Sequence, residues 1–247
     1  MSSYRVGLLV PSSNTTMETE VPEVLRRVAA TTGDRFTFHS SRMRMKTVSE
    51  SELAAMNADA DRATVELADA SVDVMAYACL VAIMAQGPGA HRDIEKRLTK
   101  TSAEAGAAVD VVSSAGALVA GLHHIGARKV SLVTPYLKPL TARVVEYIEE
   151  EGIEVQDAIS LEVDDNLAVG RLDQGQLPDI ARRLDTRGAD AVLLSACVQM
   201  PSLEAIPAAE AAVDLPVITA ATATSWQVLS ALGAYASVPG SGALFKG

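Results

Sequence analysis

Hydrophobic and polar positions along the chain follow two alternating rhythms. Short β-branched runs at 4–10, 35–42, 72–77, 109–113, 129–134, 154–161, 189–194 and 217–219 predict strands. Alanine-rich stretches with helical spacing lie between them, among them 51–68, 89–107, 140–150, 178–187 and 221–232. Strands alternating with helices in this way predict an α/β fold with mostly parallel sheets. In such sheets ligands collect beyond the carboxyl ends of the strands, so the residues just after each strand are the first candidates for function. The longest unbroken apolar run covers residues 74–85, which is too short for a membrane-spanning helix and reads as a buried strand with its following turn.

The pattern also repeats. Arg5-Val-Gly-Leu-Leu-Val-Pro-Ser aligns with Lys129-Val-Ser-Leu-Val-Thr-Pro-Tyr, and Tyr77-Ala-Cys79 with Ser195-Ala-Cys197. Val111-Val-Ser-Ser-Ala-Gly-Ala, ending in Ile-Gly-Ala, aligns with Ile218-Thr-Ala-Ala-Thr-Ala-Thr, ending in Leu-Gly-Ala. One such match arises easily between two strands of an α/β protein; three in the same order point to two related halves that differ by loop insertions. The fold expected is therefore α/β, with two pseudo-symmetric lobes, each a parallel four-stranded sheet flanked by helices. The first lobe takes residues 1–112 plus 221–247, with the last helix crossing back, and the second takes 113–220. Each lobe supplies one strand-end cysteine to an active site at the inter-lobe cleft, where small ligands commonly sit.

Composition narrows the partners. Acidic residues outnumber basic ones 31 to 21, giving a formal charge of −10, with only three Phe and one Trp. Nucleic-acid binding relies on phosphate neutralisation and aromatic stacking, so it is excluded on this balance. An anionic ligand would have to be held by local donors rather than by the overall field. No basic leader precedes Pro11, which predicts a cytoplasmic protein with no membrane partner. Two cysteines in such a chain suit a reducing compartment in which thiols stay free for chemistry.

Cys79 and Cys197 each follow a predicted buried strand. A thiol facing free backbone N–H groups at such a point is expected to have its pKa lowered. Taken singly each would read as a small core hydrophobe; their repeat-related positions favour chemistry. The four histidines, His39, His91, His123 and His124, show no ligand spacing to either cysteine, so no metal site is expected. His123-His124 reads as a helix C-terminal pair. No Gly-x-Gly-x-x-Gly turn follows the first strand, which removes a dinucleotide reading. Ser12-Ser13-Asn14-Thr15 reads as a helix N-cap, a role compatible with anion binding. Asn166 reads as a turn residue, and Arg42-Met-Arg44-Met-Lys46 as an alternating edge strand. The 87–89 and 166–170 stretches are candidate moving loops.

At this point the residues resemble a known family. Two thiols at the strand ends of related α/β lobes are similar to the aspartate/glutamate racemase superfamily. Within it, Val10-Pro-Ser-Ser-Asn-Thr-Thr-Met-Glu-Thr-Glu, Phe38-His-Ser-Ser-Arg-Met-Arg-Met, Tyr77-Ala-Cys-Leu-Val-Ala-Ile-Met and Leu194-Ser-Ala-Cys-Val-Gln-Met resemble the maleate cis-trans isomerases. The likeness runs from the first strand to about Gly242. It implies Cys79 as nucleophile and Cys197 as acid/base, with Asn14, Tyr136 and Asn166 binding carboxylates alongside the backbone N–H groups of Leu80, Val81 and Val198. It also implies a homodimer, a role in nicotinate-type ring degradation, a small dicarboxylate such as maleate as substrate, and no cofactor. Amino-acid racemases carry Asn-Thr or Thr-His after their cysteines, and arylmalonate decarboxylases keep only the second cysteine. Here Leu80-Val81 and Val198-Gln199 follow the two thiols, which disfavours both alternatives. A two-lobed binder without chemistry is the remaining alternative.

Overall fold

The computed structural model describes residues 1–246. The first half runs β1 (Ser3–Pro11), α1 (Met17–Thr32), β2 (Arg35–Met43), α2 (Glu50–Ala58), α3 (Ala60–Asp69), β3 (Val74–Tyr77), α4 (Leu80–Met84), α5 (Ala90–Glu104), β4 (Val111–Ser113) and α6 (Ser114–His124). The second runs β5 (Lys129–Thr134), α7 (Lys138–Glu150), β6 (Glu154–Ser160), α8 (Asn166–Val169), α9 (Leu177–Ala181), β7 (Ala191–Ser195), α10 (Ile206–Val213), β8 (Val217–Thr219) and α11 (Ala220–Ala231). The strands form two four-stranded sheets ordered β2-β1-β3-β4 and β6-β5-β7-β8, with every pairing parallel. The two orders are the same topology written twice, which is the repeat read in the sequence.

Burial follows position in each sheet. The central strands β3 and β7 are buried at every residue, while the edge strands β2 and β6 are partly exposed along most of their length. All eight strands lie where the apolar runs predict them, with ends moved by a residue or two.

Three expected elements differ. The 51–68 helix is two helices, α2 and α3, meeting at Asp59. Just before the break, Asn57 is buried and tied down: its Nδ2 donates to Ala82 O at 2.9 Å, its Oδ1 accepts from the Tyr77 phenol, and its carbonyl accepts from Arg97. These tertiary bonds fix the chain where helical periodicity alone would carry it straight on. The segment after Cys79 is the short helix α4 rather than a turn. The 178–187 stretch is helical only as α9, and the chain then turns at Asp185, which is braced from Asp157 and Arg187.

Helix packing links the lobes. α11 packs on α6 and α1 and reaches β3 and β4, while α6 in turn touches β8. His124 meets Trp226 across the α6–α11 contact, the rings tilted by 41° with centroids 4.8 Å apart. Gly121 of α6 permits close approach of the C-terminal segment, since a Cβ on it would come within 3.0 Å of Leu244. In both sheets the strand order reverses at the centre, between β1 and β3 and between β5 and β7. Chains leaving neighbouring strands at such a point diverge and open a crevice at the carboxyl ends. The two crevices face each other.

Candidate active site

Each of the four central strands hands one side chain to this crevice. Beyond β1, the Ser12–Asn14 turn is pinned by Ser12 N donating to Met43 O at 2.7 Å and by Arg42, whose guanidinium donates to the carbonyls of Ser12 and Asn14, both at 3.0 Å. Arg42 also pairs with Glu18. Arg42 of the 42–46 cluster is therefore engaged in shaping the loop. Asn14 is buried; its Oδ1 accepts from Met17 N at 3.0 Å, capping α1. The cap occupies the amide oxygen, leaving the amide N–H groups as the part suited to an anion.

Beyond β3, Cys79 is the residue that precedes α4, and the nearby Ala82 N–H pulls its thiol pKa down against burial. Leu80 and Val81 are the first residues of that helix, so their N–H groups have no intrahelical carbonyl to meet. Beyond β5 comes Tyr136, buried, its phenol acting on the Cys197 thiol to pull its pKa down. Beyond β7, Cys197 is held by Ser195 Oγ donating to its carbonyl at 2.8 Å, and its sulfur lies 3.4 Å from Gln199 N. Asn166 arrives from the loop after β6, where Asp165 caps α8 by accepting from Leu167 N at 2.7 Å. The Asn166 Nδ2 crosses to the other lobe and donates to Ser13 Oγ at 2.7 Å. An antiparallel bridge between Thr47 and Asp165 closes the two lobes over the same point.

All eight residues singled out from sequence (Asn14, Cys79, Leu80, Val81, Tyr136, Asn166, Cys197 and Val198) line one small cavity. Its volume is about 20 Å³, room for about one water and not for a dicarboxylate. This is a closed conformation that must open to admit a ligand. A larger outer cleft of about 370 Å³ shares Tyr136 and Val48 with the cavity wall. Neither lysine nor arginine lines the inner cavity among the described residues. No cluster of metal-ligating side chains exists among the described residues, and no described helix is long and apolar enough to cross a membrane.

The thiols correct one expectation. Both are free and only 4 % exposed. Burial pushes the Cys79 pKa up to about 12, and the charge of Cys197 adds to the rise. Cys197 is also raised by burial, against the pull of the Tyr136 phenol and of the N–H groups of Gln199 and Met200. The expected lowering fails because the closed cavity strips water from both sulfurs, and for an ionised group this desolvation outweighs a few N–H donors. Tyr136, likewise raised well above its ordinary value by burial, remains a neutral donor. A second correction concerns 166–170, expected as a loop: it is α8 and its cap. Sequence reasoning gave no role to Gln199, Met45 or Val48, which also line the cavity. The one available signal was Gln199 itself, a polar residue amid the apolar run after Cys197.

Two facing α/β lobes with a strand-end cysteine each define a class. The sequence model of the arylmalonate decarboxylase family matches residues 6–245, and the chain belongs to that family. Within it the similarity is to maleate isomerases. The enzyme of Pseudomonas putida is 57% identical over 99% of this chain and 98% of its own. A crystal structure of a Pseudomonas putida maleate isomerase with a cysteine replaced by alanine, with maleate, is 53% identical with a TM-score of 0.97, covering 99% of this chain and 98% of the other. A Nocardia farcinica maleate cis-trans isomerase with a cysteine-to-serine change carries a covalently bound succinylcysteine intermediate. It is 47% identical with a TM-score of 0.95, covering 99% and 98% of the two chains.

Proposed function

We propose that this chain converts maleate to fumarate by reversible addition of a cysteine to the double bond. The observation that carries the reading is the meeting of Cys79 and Cys197, from opposite lobes, in one cavity with Asn14, Tyr136 and Asn166. The likeness to a relative holding a succinylcysteine supports it. Turning maleate into fumarate requires rotation about a carbon–carbon double bond. Adding sulfur to one alkene carbon makes that bond single; eliminating the sulfur after rotation restores the alkene in the trans form.

The proton balance follows from the pair. Burial raises both thiols, but the Tyr136 phenol and the N–H groups of Gln199 and Met200 pull Cys197 back, so when the pair gives up one proton the remaining charge rests on Cys197. As the Cys79 sulfur bonds to one alkene carbon, Cys197 takes the Cys79 proton and the π electrons move onto the far carboxylate as an enediolate. Cys197 then gives that proton to the neighbouring carbon, forming a succinyl thioether. After rotation it takes the proton back, the C–S bond breaks with its electrons returning to sulfur, and Cys79 is reprotonated. Neutral donors at Asn14, Tyr136, Asn166, Leu80, Val81 and Val198 meet the carboxylates. Fixed dipoles stabilise the extra charge of the enediolate and, unlike a bidentate arginine, leave one end of the substrate free to turn.

The outer cleft beside Val48 and Tyr136 is the route in. The division into lobes is best drawn at 1–112 plus 221–247 and 113–220, because α11 packs on α1, β3 and β4; Gly247 lies outside the described residues. A homodimer in the cytoplasm with a role in nicotinate-type ring degradation completes the reading, on the family resemblance alone. The direct test is to mix purified protein with maleate in the absence of added cofactor and follow fumarate by proton NMR. No fumarate from folded protein, or racemisation of aspartate or glutamate at comparable rates, defeats the proposal.

A further inference from the structure

Gln199 is only 3 % exposed and lies two residues beyond Cys197. Its side-chain amide makes four hydrogen bonds, all to backbone. Oε1 accepts from Thr15 N at 3.1 Å and Thr16 N at 3.4 Å. Nε2 donates to Ser13 O at 3.0 Å and to Asn166 O at 2.9 Å. Backbone N–H groups only donate and carbonyls only accept, so the amide has one possible orientation and its hydrogen-bonding capacity is filled. In return Thr16 Oγ1 donates to the Gln199 carbonyl at 2.7 Å.

Those partners belong to the three segments that carry the site. Ser13 and Thr15 flank Asn14, Asn166 is itself a candidate carboxylate ligand, and Gln199 shares a loop with Cys197. Because the bonds go to main chain, they fix where Asn14 and Asn166 start from while leaving an amide N–H on each side chain for substrate. Gly170 leaves the space the amide occupies: a Cβ there would fall 2.5 Å from Nε2, although the Gly170 backbone is ordinary right-handed helix that alanine adopts freely.

We propose that Gln199 is a positioning residue for the isomerisation, one buried amide that sets the spacing between the carboxylate donors of the two lobes and Cys197. The inference rests on the reaction assigned above. Its alternative is that Gln199 is inter-lobe glue whose loss costs stability and nothing else.

Replacement by methionine keeps the length and removes all four bonds. Folded Gln199→Met is expected to lose about ten- to a hundredfold in kcat/KM, chiefly in kcat, since misplacement of donors by an ångström costs on that order. In an Asn166→Ala background the same change should cost less than about threefold, because one of the groups it positions is gone. Gln199→Glu, nearly isosteric, is expected to be at least as impaired at neutral pH, because its carboxylate faces two carbonyls. Gly170→Ala tests the idea without touching Gln199: it should reproduce the loss in wild type and be silent beside Gln199→Met, and it carries the test if the Gln199 variants do not fold. Kinetic constants are measured for maleate at one temperature, with melting curves alongside. Wild-type kcat and KM in Gln199→Met with only a lowered Tm, an equal loss in both Asn166 backgrounds, or an unaffected Gly170→Ala enzyme overturns the inference. A wild-type protein that leaves maleate unchanged overturns the reaction itself, and the inference with it.

Discussion

Cys79 stands where a fully buried strand ends and a five-residue helix begins. A thiol held up to about 12 is protonated at rest, so turnover depends on sharing its proton with Cys197. Cys79→Ser is expected to abolish fumarate production while keeping the fold, since a hydroxyl is far less nucleophilic than a thiolate; substantial turnover in folded protein would remove Cys79 as nucleophile. Cys197→Ser should slow addition and elimination alike, and intact-protein mass spectrometry after long incubation should find an adduct of one maleate mass; wild-type turnover would remove Cys197 from the chemistry. The same burial has a thermodynamic sign. The thiol pKa is raised from 9.0 to about 12 on folding, so the folded state holds this proton more tightly and its contribution is fully present below pH 9. Stability is therefore lost as pH climbs from about 9 towards 12. A Cys79→Ala variant should show a shallower fall in Tm over that window than wild type. Of the donors, Asn166→Ala should cost about 1.5–3 kcal/mol in transition-state binding, roughly tenfold to more than a hundredfold in kcat/KM.

Helices hold the lobes together by a few buried polar contacts. His91, at the start of α5, meets Tyr147 of α7: the Tyr147 hydroxyl lies 2.5 Å from Nδ1 and accepts from His91 N at 3.1 Å. Burial lowers the His91 pKa from its ordinary 6.5, with Arg92 adding to the shift and Glu151 opposing it. The neutral ring thus favours the folded state above pH 6.5, and this contribution is lost as pH falls through the lowered value. Urea denaturation at pH 7 and pH 5 should show a smaller loss of stability on acidification for His91→Asn than for wild type; equal losses would mean that the α5–α7 contact does not titrate. The break between α2 and α3 belongs at this scale too. Local periodicity predicts one helix over 51–68, and only the bonds reaching Asn57 from β3, α4 and α5 decide that the chain bends there.

Across the whole molecule, the formal charge of −10 opposes the approach of a dianion, and the cavity wall offers no cation in compensation among the described residues. Screening weakens that repulsion beyond about 10 Å at 0.1 M salt. Raising sodium chloride from low to physiological concentration should therefore increase kcat/KM for maleate while leaving kcat nearly unchanged. A steady fall with salt would mean that a local positive field guides the substrate after all.

The repeated apolar runs determined the eight parallel strands, their grouping in two halves and the strand-end placing of both cysteines, because burial on both faces of a parallel sheet forces a local, legible pattern. Motif resemblance named eight of the cavity residues, but not that they would sit around so small a space. Only the tertiary structure decided three things. It raised the thiols instead of lowering them, because desolvation is set by what covers a side chain and not by its neighbours in sequence. It turned the 166–170 stretch into a capped helix carrying Asn166, through an inter-lobe bridge that joins residues far apart in the chain. And it gave Gln199 its partners, since hydrogen bonds spanning some 180 residues leave no periodic trace in a sequence and exist only once the lobes have met.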